Sequence, residues 1–200
     1  HVINVNNARI KKVYNGHVIE DIANNVKVSI DPNTTAIVPR RGVINNSHTI
    51  SVMKALEDAR YFCVNTLDSI LACENKFTTC QILENAGVPV PRYAILSSEE
   101  KMEEAVKTIG GKFPVVMKLL TGSKGIGVSI VDSFNSLKSV FQTIKKLDET
   151  GEVLLQEKID SKYDLRIHVL IKNIDIRDLD HPGNYRIIGA MRRNSVGKDF

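Results

Sequence analysis

The stretch Phe113-Pro-Val-Val-Met-Lys118-Leu-Leu-Thr-Gly122-Ser-Lys-Gly125-Ile-Gly127-Val-Ser-Ile-Val131 decides the fold. An apolar, strand-like run carries one lysine at its middle, breaks into a Gly/Ser/Lys turn, and resumes as a second apolar strand. A lysine inside such a run is costly to bury unless an anion meets it. The glycines of the turn let backbone N–H groups come close to a phosphate. Lysine and amide-rich loop together suit a nucleoside triphosphate. Taken alone, a lysine snorkelling from a sheet edge and a plain hairpin turn remain open.

Working outward toward the C-terminus, Phe134, Leu137, Phe141, Ile144 and Leu147 form a helical stripe. Val153–Ile159 and Asp164–Ile171 are expected strands, and Tyr185–Met191 resembles a return strand after a polar connection through His181. This half is expected to be an α+β arrangement, its strands antiparallel and its helices on one face. Toward the N-terminus, Ser97 and Glu100 form a capping-box pattern opening a helix that Gly110-Gly111 closes. Lys76–Ala86 is an expected helix with Gly87 at a left-handed cap, and Leu67–Cys73 a shorter one. Val88-Pro-Val-Pro91 cannot continue a helix.

Further upstream, Tyr61–Val64 reads as a short buried strand, His48–Arg60 as a helix and Thr35–Pro39 as a strand. That alternation predicts parallel strands with a crossover helix. Residues 1 to about 32 are polar and Asn-rich, with Asn15-Gly16 as a hairpin turn between strand-like pieces. The domain boundary falls near residue 65, giving domains 1–65 and 66–200.

At 200 residues, with 42% hydrophobic and 25% charged residues, the chain has the composition of a soluble globular protein. A net charge of +4 suits an anionic small ligand and lacks the clustered basic surface of a nucleic-acid binder. No apolar run reaches membrane-spanning length, and the N-terminus has no secretory pattern. Position 1 is not Met, so the start is expected to have been processed, tagged or cut. Cys63, Cys73 and Cys80 contain no CxxC; they read as reduced core thiols of a cytoplasmic protein, Cys73 and Cys80 sharing a face if on one helix. His48, His168 and His181 lack companion ligands, so no metal is assigned to them.

Four segments in order resemble the ATP-grasp superfamily, in particular its RimK-like carboxylate–amine ligases. They are Val38-Pro-Arg-Arg-Gly42, Glu74-Asn-Lys76…Gly87-Val-Pro-Val-Pro91, the Lys118 strand with its glycine turn, and Leu155-Gln-Glu-Lys-Ile159 with Asp164-Leu-Arg166. The resemblance implies a partial pre-ATP-grasp α/β domain followed by an ATP-grasp domain of antiparallel sheets and helices. It also implies that Lys118 and Lys76 contact the nucleotide phosphates, and that Ser123, Lys124, Gly125 and Ile126 form a lid over them. Gln156, Glu157, Lys158 and Ile159 would form the adenine hinge, with Asp164 on the ribose hydroxyls. Arg166 and Arg193 would act at the reaction centre, and Arg40 or Arg41 would bind an acidic acceptor. For Arg40, Arg41 and Arg192 surface charge is the blander explanation.

Such a protein uses ATP with Mg2+ (or Mn2+) to join a carboxylate to an amine through an acylphosphate. Its partners would be ATP, a carboxylate substrate and an amino acid such as glutamate, with neither nucleic acid nor membrane involved and a homo-oligomer left open. The family's leading strand–helix–strand is expected upstream of residue 1, and its metal-binding Asp and Glu-x-Asn downstream of Phe200. The chain is therefore expected to be an internal portion or a reduced relative. The alternatives are a non-catalytic ATP-binding regulatory or scaffold module, and an α/β binding domain that takes no nucleotide.

Overall fold

The computed structural model describes residues 2–4, 7–39, 46–121, 125–149, 151–171 and 184–194. The chain divides into two compact units, residues 1–157 and 158–200.

The first unit begins with a three-stranded antiparallel sheet, β1 (Ala8–Val13), β2 (Gly16–Asp21) and β3 (Val26–Ile30), in the order β1-β2-β3. The expected hairpin is present, but Val13 pairs with Gly16, so Tyr14 and Asn15 make the turn and Gly16 opens the return strand. Gly16 is needed there because its φ is +142° and a Cβ would lie 2.1 Å from the Ile30 carbonyl oxygen. Strand β4 (Ala36–Ile37) runs parallel to β5 (Phe62–Cys63), with α1 (Ser47–Asp58) between them in the chain, as the alternation predicted. The Asn46 side chain accepts from Thr49 N and starts α1. Val52 and Leu56 of α1 pack with Ala8, Ile19, Ile30 and Tyr61. The segment around β5 is less buried than its apolar composition suggested: Tyr61 is inside, whereas Phe62 and Val64 are exposed.

Helices α2 (Leu67–Glu74) and α3 (Lys76–Asn85) abut at Asn75, whose side chain accepts from Phe77 N and Thr78 N. Cys73 and Cys80 lie on different helices, as the two expected helices implied, and Cys80 is buried whereas Cys73 is exposed, which corrects the reading of Cys73 as a core thiol. At the end of α3, Gly87 N donates to Glu84 O and Val88 N to Leu83 O, the paired bonds of the expected left-handed cap.

A four-stranded sheet of β6 (Tyr93–Leu96), β7 (Val115–Leu119), β8 (Val128–Val131) and β9 (Val153–Glu157) follows, in the order β6-β9-β7-β8 and antiparallel at each joint. One face carries Val115, Met117, Val153 and Leu155 against α4 (Met102–Thr108) and α5 (Phe134–Leu147). Leu137 and Phe141 of α5 are fully buried there. Each such side chain contributes about 1.5–3 kcal/mol relative to exposure. The α5 stripe outruns this core, since Leu147 is 85% exposed. The capping box does not form as expected: a 3-10 turn, Glu99–Lys101, precedes α4, and Ser98 makes no side-chain cap hydrogen bond. Helices α4 and α5 share one face of this sheet, as expected, while α3 meets the opposite face through Cys80, next to Gln156. Phe77 stacks edge-on against Tyr93, and the Tyr93 hydroxyl donates to Glu84 Oε2 at 2.6 Å, which ties α3 to β6.

The second unit is an antiparallel pair, β10 (Tyr163–Ile171) and β11 (Tyr185–Asn194), with an irregular register after His168. Among the described residues no helix is long and apolar enough to cross a membrane.

Candidate functional site

The face of the four-stranded sheet away from α4 and α5 carries the lysine of the deciding stretch. Side chains alternate along a strand, so if Val115 and Met117 enter the core, Lys118 must face the other way. Lys118 sits next to last in β7, nearer the strand's end than the middle of an apolar run suggested. It pairs with Leu154 of β9, and Val116 pairs with Gln156, so Gln156 is its diagonal neighbour on the same face. Lys118 Nζ donates to Gln156 Oε1 at 2.6 Å. Gln156, only 7% exposed, directs its Nε2 at Cys80 Sγ, 3.8 Å away.

Helix α3 brings the second cation. Lys76 is its first residue, and Lys76 N donates to Leu120 O at 2.9 Å, which fastens the start of the helix to the chain just beyond β7. Burial lowers the Lys118 ammonium from its ordinary value, and burial followed by the charge of Lys118 lowers that of Lys76. Two partly desolvated cations that repel one another form a patch that a polyanion would relieve. Burial raises the Cys80 thiol, so it is a neutral neighbour.

The turn after β7 folds back tightly. Leu119 N donates to Gly127 O at 2.8 Å, and Val128 N to Gly125 O at 3.2 Å. Gly127, at φ +76°, could not carry a side chain, because a Cβ would lie 2.6 Å from Leu119 Cδ1. Ile126 projects outward, 74% exposed. Ser123 and Lys124, also expected in this lid, lie outside the described residues, as do Arg40, Arg41 and His181.

Glu157, expected at the adenine hinge, has its carboxylate on Arg92. Arg92 N and Nε each donate to it at 2.7 Å and Nη2 at 2.5 Å, while Glu157 N donates to Arg92 O at 2.9 Å. Hydrogen bonding to Arg92 holds the Glu157 carboxyl below its ordinary value. Arg92 was not anticipated; the only sequence sign was an arginine directly after Val88-Pro-Val-Pro91. Lys158 and Ile159 follow β9 without belonging to a strand, and Lys158 Nζ lies 2.5 Å from Asp160 Oδ1.

Within the second unit, Asp164 and Arg193 are direct cross-strand partners. Arg193 Nε and Nη2 meet the two Asp164 oxygens at 2.6 and 2.9 Å. Arg166 lies two residues along β10, opposite Met191. Arg192 stacks on the Tyr163 ring, 4.2 Å from its centroid. No group of three or more His, Cys, Asp or Glu is placed to hold a metal ion among the described residues.

The description "RimK-like ATP-grasp domain" matches residues 73–200. Curated relatives include a probable alpha-L-glutamate ligase of Saccharophagus degradans, 29% identical over 171 residues, covering 84% of this chain and 52% of that protein. Another, from Picosynechococcus sp., is 29% identical over 168 residues and covers 84% and 51%. The chain thus spans about half the length of the curated relatives it matches. Among solved structures, D-alanyl-alanine synthetase A from Vibrio cholerae aligns at TM-score 0.62 and 14% identity over 92% of this chain and 50% of that one. The ADP complex of N5-carboxyaminoimidazole ribonucleotide synthetase aligns at 0.60 and 18%, covering 80% and 38%. At these identities the likeness is one of fold.

Proposed function

Since the chain belongs to the RimK-like ATP-grasp family, we propose that it is the nucleotide-binding part of an ATP-dependent carboxylate–amine ligase. The observation that carries this reading is the patch of two mutually repelling, partly desolvated ammoniums, Lys118 and Lys76, beside the Gly125–Gly127 turn. In this reading residues 66–200 form the ATP-grasp domain and residues 1–65 the domain before it.

Lys118 and Lys76 neutralise phosphate charge, each as a compact cation with several donors. The glycine turn, with Ser123, Lys124, Gly125 and Ile126, closes over the phosphates. Gln156, Glu157, Lys158 and Ile159 receive the adenine, with Gln156 and Glu157 presenting backbone because their side chains are engaged by Lys118 and Arg92. Asp164 takes the ribose, and Arg166 and Arg193 hold the reacting carboxylate or phosphoryl group. The chemistry has two steps. A carboxylate oxygen attacks the γ-phosphorus and expels ADP; an amine nitrogen then attacks the acyl carbon, expels phosphate and loses its proton, leaving an amide. The relatives' names favour glutamate as the amine donor, with an acidic peptide, protein or small acid as acceptor. Magnesium (or manganese) would supply further phosphate neutralisation.

The Asp164–Arg193 pair favours a second reading, a nucleotide-binding regulatory or scaffold module, because an arginine clasped by a carboxylate is not free to clamp a substrate. The test is ADP release with glutamate and acidic peptides, alongside ATP-dependent thermal stabilisation. Stabilisation with amino-acid-dependent ADP release supports the ligase. Stabilisation without turnover supports the module, and no stabilisation removes both.

A further inference from the structure

The Lys118 ammonium is held by a neutral group. Gln156 is a buried amide engaged at both ends, its Oε1 on Lys118 Nζ at 2.6 Å and its Nε2 toward Cys80 Sγ at 3.8 Å. The two ends of an amide are chemically distinct, an acceptor oxygen and a donor NH2. The NH2 cannot face an ammonium, so the oxygen does, and the weakly accepting sulfur of Cys80 receives the other end. An apolar residue at position 156 would leave the lysine without this acceptor. A carboxylate would hold it but cancel its charge. Glutamine does the first without the second.

We propose that Gln156 is the positioning residue for Lys118, a neutral acceptor that fixes the ammonium on the strand face while leaving its charge for the triphosphate. This rests on the nucleotide reading above. The groups around Lys118 agree with it. β9 contributes Leu154 and Gln156, and β8 places Val128 opposite Lys118, none of them charged. Helix α3 contributes the Lys76 ammonium and the neutral Cys80 thiol, with Glu84 acting on that thiol from one turn further on. Lys118 in turn lowers the Lys76 ammonium, and a neutral amide on Lys118 adds no opposing charge to this pair.

The test uses the parent protein, Gln156→Glu and Gln156→Met. Lys118 acylation by an N-hydroxysuccinimide acetate reagent is followed by peptide mass spectrometry across pH, without nucleotide, and ATP binding is titrated in parallel. A carboxylate partner should raise the acylation midpoint of Lys118 by about one pH unit, and methionine should lower it. ATP affinity should fall about 10-fold or more in Gln156→Glu, since the cation is neutralised. If Gln156→Glu does not fold, Gln156→Met carries the test through its lowered midpoint and its weaker ATP binding. Equal midpoints in parent and variants overturn the proposal, as does a Gln156→Glu protein that binds ATP like the parent. A parent that binds no ATP overturns the nucleotide reading and the proposal with it, and the acylation midpoints, which need no nucleotide, separate that failure from the others.

Discussion

Replacing Lys118 with methionine keeps most of the side chain's length and apolar stem while deleting the ammonium. Two effects on the empty protein oppose one another. Gln156 Oε1 loses its 2.6 Å donor, and an unsatisfied buried acceptor costs about 1–3 kcal/mol. Removing a cation that burial already disfavours offsets part of this. Stability should therefore change by only about 1 kcal/mol. Nucleotide binding has no such offset, because a hydrogen bond to a charged group is worth about 1.5–3 kcal/mol, or roughly 10- to 150-fold in affinity. At ATP 100 times the parent's Kd, the parent gains about 2.7 kcal/mol, whereas a variant binding 100-fold more weakly gains about 0.4. For a chain of this size that separates a melting shift of about 5–10 °C from one of about 1 °C. Isothermal titration gives the affinities directly. The pH dependence has a definite sign: the folded Lys118 value lies below the ordinary 10.5, so the cost of holding it charged disappears as pH rises through that lowered value. ATP affinity should decline over the same interval as the ammonium is lost. A Lys118→Met protein that is folded and binds ATP within about threefold of the parent would refute the reasoning.

Three further outcomes follow from the packing. Phe141→Ala empties a fully buried position between α5 and the sheet and should cost about 3–5 kcal/mol in urea unfolding; a loss under 1 kcal/mol would mean that α5 does not pack there. Gly16→Ala forces a Cβ to 2.1 Å from the Ile30 carbonyl at positive φ, so it should cost on the order of 3 kcal/mol, read as a lower melting temperature. Asp21 accepts from Asn4 N, Asn24 N and Asn24 Nδ2 at 2.9, 3.2 and 2.8 Å, and its carboxyl is lowered below 3.8, chiefly by the Asn24 side chain. The stability it brings is complete above 3.8 and lost as pH falls through the lowered folded value. Asp21→Asn should thus melt lower at pH 7, and the gap to the parent should narrow in an acid titration below 3.8.

Local pattern was enough for much of this chain. The 3.6-residue stripe of α5, the left-handed cap at Gly87 and the two strands flanking the glycine turn all depend on residues within a few positions of one another. The family, too, was legible from ordered motifs. Strand β6 escaped notice, since Tyr93–Leu96 is a short apolar run after a proline-rich connection, and only its pairing with β9 makes it a strand.

The candidate site divides in the same way. Which residue types suit a triphosphate could be read along the chain, but their partners could not. Gln156 reaches Lys118 across 38 residues and Cys80 across 76, and Glu157 meets Arg92 across 65. Side-chain chemistry and periodicity are properties of neighbours in sequence. The strand order β6-β9-β7-β8 and the docking of α3 on one face are collective outcomes of burying a shared core, so packing alone decided that a neutral amide holds the lysine and that an arginine occupies the Glu157 carboxylate.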